Sequence, residues 1–227
     1  MTKRIIVTLA FVLFTHNAYS ADDVASVSES SVTESSVYQS SETADDGSES
    51  STYESSYTET TVHDSDVYAE SVYEENVREE IVANADGTDT HIIETDIYDS
   101  NMDESDDYAS NVMESSSYEE MVTDADGYES NHSESDMYQE TVADNNDGYS
   151  SDVTQGSDYQ HSVADSDGYT SDVNSSDDYH ESIAESDDGY HSDNHESDMY
   201  AEVVTDSDGY TSEVSDANSY EETVSEI

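Results

Sequence analysis

Aspartate returns along this chain in close pairs: Asp124 and Asp126, Asp144 and Asp147, Asp165 and Asp167, Asp187 and Asp188, Asp206 and Asp208. Each pair is followed at once by glycine and tyrosine, as in Asp165-Ser-Asp-Gly-Tyr169 and Asp206-Ser-Asp-Gly-Tyr210. Carboxylates held this close in a glycine-containing turn suit hard cations, which collect about six to eight oxygen ligands. The ten aspartates are therefore the candidate metal ligands. Calcium, bound weakly at many sites, is the expected ion.

The other reactive side chains carry less. Serine, histidine and aspartate all abound, but a catalytic triad needs a rigid pocket to hold it, and the chain is not expected to be an enzyme. His180, His191 and His195 are the histidines nearest one another in sequence and read as solvated side chains among acids. Ser162, Ser175 and Ser182 each precede an acid by three residues, a phosphorylation pattern that this composition makes common. Asn131-His-Ser133 and Asn174-Ser-Ser176 have the form of glycosylation sequons.

The acidic pairs keep time with tyrosine. From Tyr98 the tyrosines fall at 98, 108, 118, 128, 138, 149, 159, 169, 179, 190, 200, 210 and 220, a step of ten with one extra residue twice. Both extra residues lie in acidic stretches, 144–149 and 185–190. Four residues after most of these tyrosines stands Val or Ile, as at Val112, Val122, Val142, Val153, Val163, Val173, Ile183, Val204, Val214 and Val224. Asp-Gly precedes every second tyrosine from 128 onward, so two unlike decads make a unit of about twenty residues. Residues 21–97 carry a degenerate, Ser/Thr/Glu-rich form of the array, and 98–227 the regular one.

Ten residues turn a helix through about 1000°, short of three full turns, so the tyrosines would spiral around it. In a strand, positions separated by four share a face, and Tyr and Val favour strands. The decads predict strands of about five residues joined by acidic turns. One Tyr and one Val per decad bury too little to offset the entropy of ordering it. The expectation is therefore a largely disordered low-complexity repeat chain. The alternative is a β-rich solenoid, roll or meander of paired decads, ordered by calcium.

Charge points the same way. Residues 21–227 hold all 59 acids and one Lys or Arg, Arg78, for a formal charge of −58. There is no cysteine, proline or tryptophan. Nucleic acid is excluded as a direct partner, because binding it needs Lys and Arg to displace phosphate counterions. Cations, a mineral surface or cationic matrix proteins are the partners such a chain attracts. Residues 1–20 have the layout of a signal peptide: Lys3 and Arg4, an apolar run from Ile5 to Phe14, and Ala18-Tyr-Ser20 before Ala21. The run is too short to span a bilayer as a helix. The chain is expected to be secreted, with no membrane span.

The Asp-x-Asp-Gly string resembles the middle of an EF-hand loop, but the first ligand position would fall on Val122, Ala143, Val163 or Val204. No EF-hand is expected. In composition the whole chain after residue 20 resembles the acidic Asp- and Ser-rich matrix proteins of mollusc shells and coral skeletons. That resemblance implies an extracellular matrix protein that binds calcium ions or calcium mineral. Two other readings compete: a coat or adhesive protein cross-linked or modified at its tyrosines, and a calcium-folded β-solenoid of a secreted bacterial protein.

Overall fold

The computed structural model describes residues 3–13, 28–64, 68–104, 108–145, 148–186 and 189–226. These form eleven strands: β1 (Lys3–Leu13), β2 (Ser28–Thr43), β3 (Glu49–Asp64), β4 (Tyr68–Ala83), β5 (Asp89–Glu104), β6 (Tyr108–Thr123), β7 (Glu129–Asn145), β8 (Gly148–Ala164), β9 (Thr170–Ser186), β10 (Gly189–Thr205) and β11 (Thr211–Glu226). They lie in one sheet in chain order, each antiparallel to the next. The fold is a β-meander, and every element of the described residues is a strand.

The expected disorder is thus corrected, and of the alternatives the structure takes the meander. The register supplies the physical reason. Across the pairings of β2 to β11, two carboxylates stand directly opposite each other once, at Asp177 and Asp198. Every other acid in these pairings faces Tyr, Val, Ser, Thr, Ala, Gly or another uncharged or basic residue, as in Glu114↔Tyr138, Val112↔Glu140 and Ser116↔Asp136. Like charges opposite each other destabilise a sheet and mixed pairs stabilise it. Net charge alone overstated the repulsion, because pairing keeps the acids apart.

The expected strand length is also corrected. The strands of the repeat have 16 or 17 residues and each runs through more than one tyrosine decad. Only alternate acidic stretches become turns. Mid-strand stretches such as Glu134-Ser-Asp-Met137 and Ser175-Ser-Asp-Asp178 carry no glycine and no residue that needs a left-handed backbone, so the strand continues through them. Where Asp-x-Asp-Gly occurs at 124–127, the chain turns. Gly127 sits at φ +89° and its N–H donates to the Asp124 carbonyl at 3.3 Å, while Asp124 N–H donates to Tyr128 O at 3.0 Å. This is a three-residue hairpin loop closed by a left-handed glycine. The same pattern closes the turns at 44–48, 84–88, 165–169 and 206–210.

These five turns lie along one edge of the sheet. The ends of β3, β5, β7 and β9 lie along the other, about 50 Å away at about 3.3 Å per residue. The twenty-residue unit is one strand plus one turn, and two units make a hairpin. Both acidic stretches that hold an extra residue, 144–149 and 185–190, have their described ends at that second edge, where Asn145 pairs with Gly148 and Ser186 with Gly189. The strands flanking those stretches gain a residue and the register inside the sheet is kept. β5 crosses position 97 unbroken, so the degenerate and regular arrays belong to one sheet. Residues 3–13, within the expected signal peptide, pair with β2 as an outer strand.

No second layer covers the sheet. Among the described residues no apolar side chain is buried, and Ser151, 9% exposed, is the one buried residue. Side chains gain shelter from cross-strand neighbours on their own face instead of from a core. No helix of the structure is long and apolar enough to cross a membrane.

Candidate functional site

Directly paired residues share a face, so the register sorts the whole repeat. One face collects the tyrosine ruler and its valines. Along its midline, crossing the strands, runs the row Ser36, Ser56, Asn76, Asp96, Ser116, Asp136, Ser157, Asp177, Asp198, Asn218. Neighbouring strands are about 4.8 Å apart, so the midline is a string of small oxygen-bearing side chains at nearly that step.

Two further rows flank the midline, in which a tyrosine (once Arg78) alternates with an acid, an amide or, once, Ser175. One reads Glu74, Tyr98, Glu114, Tyr138, Gln155, Tyr179, Glu196, Tyr220. The other reads Tyr38, Glu54, Arg78, Glu94, Tyr118, Glu134, Tyr159, Ser175, Tyr200, Asp216. Along the midline and the first of these rows lies a groove of about 680 Å³, lined among others by Tyr98, Tyr138 and Tyr179 and by Asp96, Asp136 and Asp177.

Tyrosines of both rows donate along their own strands, each to the glutamate two residues on. Tyr138 donates its hydroxyl to Glu140 at 2.9 Å, Tyr179 to Glu181 at 3.0 Å, Tyr200 to Glu202 at 3.1 Å and Tyr220 to Glu222 at 2.6 Å. These bonds keep the phenols protonated. The pKa values of Tyr138, Tyr200 and Tyr220 are raised, first by those hydrogen bonds, and those of Tyr118 and Tyr179 first by desolvation. A group whose folded pKa lies above its unfolded value of about 10 stabilises the fold fully below that pH and loses the contribution as pH rises through the folded value. Raising the pH through that range should therefore ionise the tyrosines late and erase the β signal as they ionise. Absorbance at the phenolate band followed beside circular dichroism checks this, and a sheet that persists after all phenols have ionised contradicts it.

Arg78 takes a tyrosine position in the second row and plays the same donor part with charge. Its guanidinium reaches Glu94 at 2.8 Å, Glu80 at 2.6 Å and Glu54 at 3.9 Å. The substitution Arg78→Tyr should leave the melting temperature within a few degrees, because a phenol there can donate to Glu80 as the other tyrosines donate to the glutamate two residues on. Arg78→Glu should lower it clearly, because it sets a carboxylate directly between Glu54 and Glu94. Thermal melts of the two variants side by side test this.

The sequence-derived aspartates stand elsewhere. Asp124, Asp165 and Asp206 open the hairpin turns, and their carboxylates are engaged there. Oδ1 of Asp124 accepts from Asp126 N–H and Tyr128 N–H, both at 2.9 Å; Asp165 serves Asp167 and Tyr169, and Asp206 serves Asp208 and Tyr210, in the same way. These are side-chain-to-backbone bonds that fix a turn. Asp126, Asp167 and Asp208 lie exposed in the same turns. Asp144 is at the opposite edge, between Tyr108 and Tyr149. Asp147, Asp187 and Asp188 lie outside the described residues. The structure does not gather the candidates: it distributes those it describes along two distant edges.

Among the described residues no three His, Asp or Glu side chains converge on a point where they would enclose one metal ion. His180 and His195 do meet as a cross-strand pair on the other face, and His132 and His161 pair on the tyrosine face with ring centroids 5.9 Å apart. The carboxylates that sequence reasoning missed are Asp96, Asp136, Asp177 and Asp198, each two residues before a mid-strand tyrosine.

No family model, curated protein or solved structure matches the chain.

Proposed function

We propose that this is a secreted protein of an extracellular matrix whose tyrosine-and-acid face binds calcium at the surface of a calcium mineral. The observation that carries the reading is the in-register arrangement of carboxylates on one face of an uncovered sheet. Asp96, Asp136 and Asp177 recur at every second strand, about 9.6 Å apart. Acids of the flanking rows alternate with tyrosine on either side. No single position offers the six to eight oxygens that would fix an isolated ion. A lattice supplies its own oxygens to each ion, so one or two carboxylates per ion suffice. Many weak contacts held on one rigid face then add through effective concentration.

The cross-linked coat is the weaker reading on the same geometry. In the pairings of β2 to β11 no tyrosine stands directly opposite another. Ring coupling within the chain would be confined to close diagonal pairs such as Tyr57 and Tyr73, whose centroids are 6.0 Å apart. The test is adsorption of the purified chain to powdered calcium carbonate and to silica at the same salt. Saturable binding to the carbonate that silica does not reproduce supports the proposal. Equal adsorption to both surfaces, or none, overturns it.

A further inference from the structure

We propose that the outer edge of β11 is a self-association surface, and that two copies of the chain join there about a two-fold axis into one continuous sheet. β11 pairs with β10 on one side, and among the described residues its other side carries no strand. An open strand edge is a template for another strand.

The side chains of β11 report the missing neighbour. Val214, Tyr220 and Val224 are 52%, 52% and 41% exposed. The corresponding Val173, Tyr179 and Ile183 of β9, flanked on both sides, are half-buried.

The sequence of β11 is complementary to itself when two copies run antiparallel with Asn218 opposite Asn218. Tyr220 then meets the second copy's Asp216, Val214 meets Glu222, Val224 meets Ser212 and Glu213 meets Thr223. These repeat the pair types already formed with β10, where Tyr200 faces Asp216 and Glu202 faces Val214. In this register no carboxylate faces another. Moving it by one or two residues in either direction opposes Glu213 to Glu221 or Glu222, or Asp216 to Glu221 or Glu222. Charge therefore disfavours the neighbouring registers, and the Asn218-centred alignment keeps the tyrosine faces of both copies on the same side. The interface is isologous and closes at two chains. The surface is independent of calcium or mineral binding.

The full chain has no cysteine, which makes the register directly testable. Asn218→Cys alone should form a disulfide-linked dimer under mild oxidation. Asp216→Cys alone should cross-link at least tenfold less, and should pair efficiently when mixed with Tyr220→Cys. Sedimentation of the unmodified chain at physiological salt should show a concentration-dependent dimer. Ser215→Glu, which faces Ala201 within the chain but sets an acid against Glu221 of the second copy at both symmetric positions, should raise the dissociation constant at least tenfold with unchanged circular dichroism. A monomer at all concentrations overturns the proposal. So does cross-linking of Asn218→Cys only to chains carrying Ser36→Cys, which would assign head-to-tail assembly.

Discussion

Replacing Asp96, Asp136, Asp177 and Asp198 together by asparagine should weaken adsorption to calcium carbonate by about tenfold or more while the sheet stays intact. The change is small in charge, four of 59 acids, so a mere polyelectrolyte would barely notice it. It is large in geometry, because it empties the midline of its carboxylates and leaves the flanking Tyr–Glu rows standing. Asparagine has nearly the same shape, keeps a carbonyl acceptor and removes the directly opposed pair Asp177 and Asp198, so folding should be preserved or improved. The proper comparison is Asp99, Asp152, Asp158 and Asp172 changed to asparagine, which removes the same charge from the opposite face. If the midline variant loses binding and the control does not, position on the face decides. If both lose equally little, the acids act as bulk charge and the mineral reading fails.

That midline shows what was legible and what was not. Tyr118 and Val122 lie four apart, and period-two reasoning placed them on one face of a strand, as the register confirms. Asp-Gly before Tyr128, Tyr169 and Tyr210 marked real hairpin turns, because Gly127, Gly168 and Gly209 supply the positive φ that such loops require. The mid-strand acids misled because composition cannot say whether Ser-Asp-Met is a turn or an extended segment. Only the lack of a left-handed residue separates Ser135-Asp-Met137 from Asp124-Ala-Asp-Gly127, and that difference sets strand length. Once strands are known to take twenty residues with their turn, Asp96, Asp136 and Asp177 fall into one row by arithmetic. Before that, they were acids among acids. The disorder expected from a charge of −58 failed for a related reason: it treated charge as a sum, whereas pairing makes it a pattern.

The same pattern makes the fold sensitive to ions. The chain should keep its β signal at about 0.15 M monovalent salt and lose much of it at about 0.01 M, because the screening length grows from about 8 Å to about 30 Å. Apart from the opposed pair Asp177 and Asp198, acids in a row are separated by an intervening Tyr, Ser, amide or Arg78, so same-row carboxylates stand about 9.6 Å apart, two strand spacings. At the higher salt that distance exceeds the screening length and each acid interacts mainly with its uncharged neighbour. At the lower salt every carboxylate of the face repels every other, and no apolar core opposes them. Calcium added to the low-salt sample should restore the β signal at concentrations where sodium of equal ionic strength does not, because a divalent ion bridges carboxylates as well as screening them. Magnesium, which dehydrates reluctantly and keeps its waters, should be less effective. Circular dichroism and hydrodynamic radius measured across these titrations separate the cases. Recovery with calcium ahead of magnesium would tie the order of the sheet to the ion that the face is proposed to meet. Recovery that depends on ionic strength alone would leave the sheet a screened polyelectrolyte, and a signal unchanged at low salt would show that the spacing of acids in the register is already wide enough to hold it.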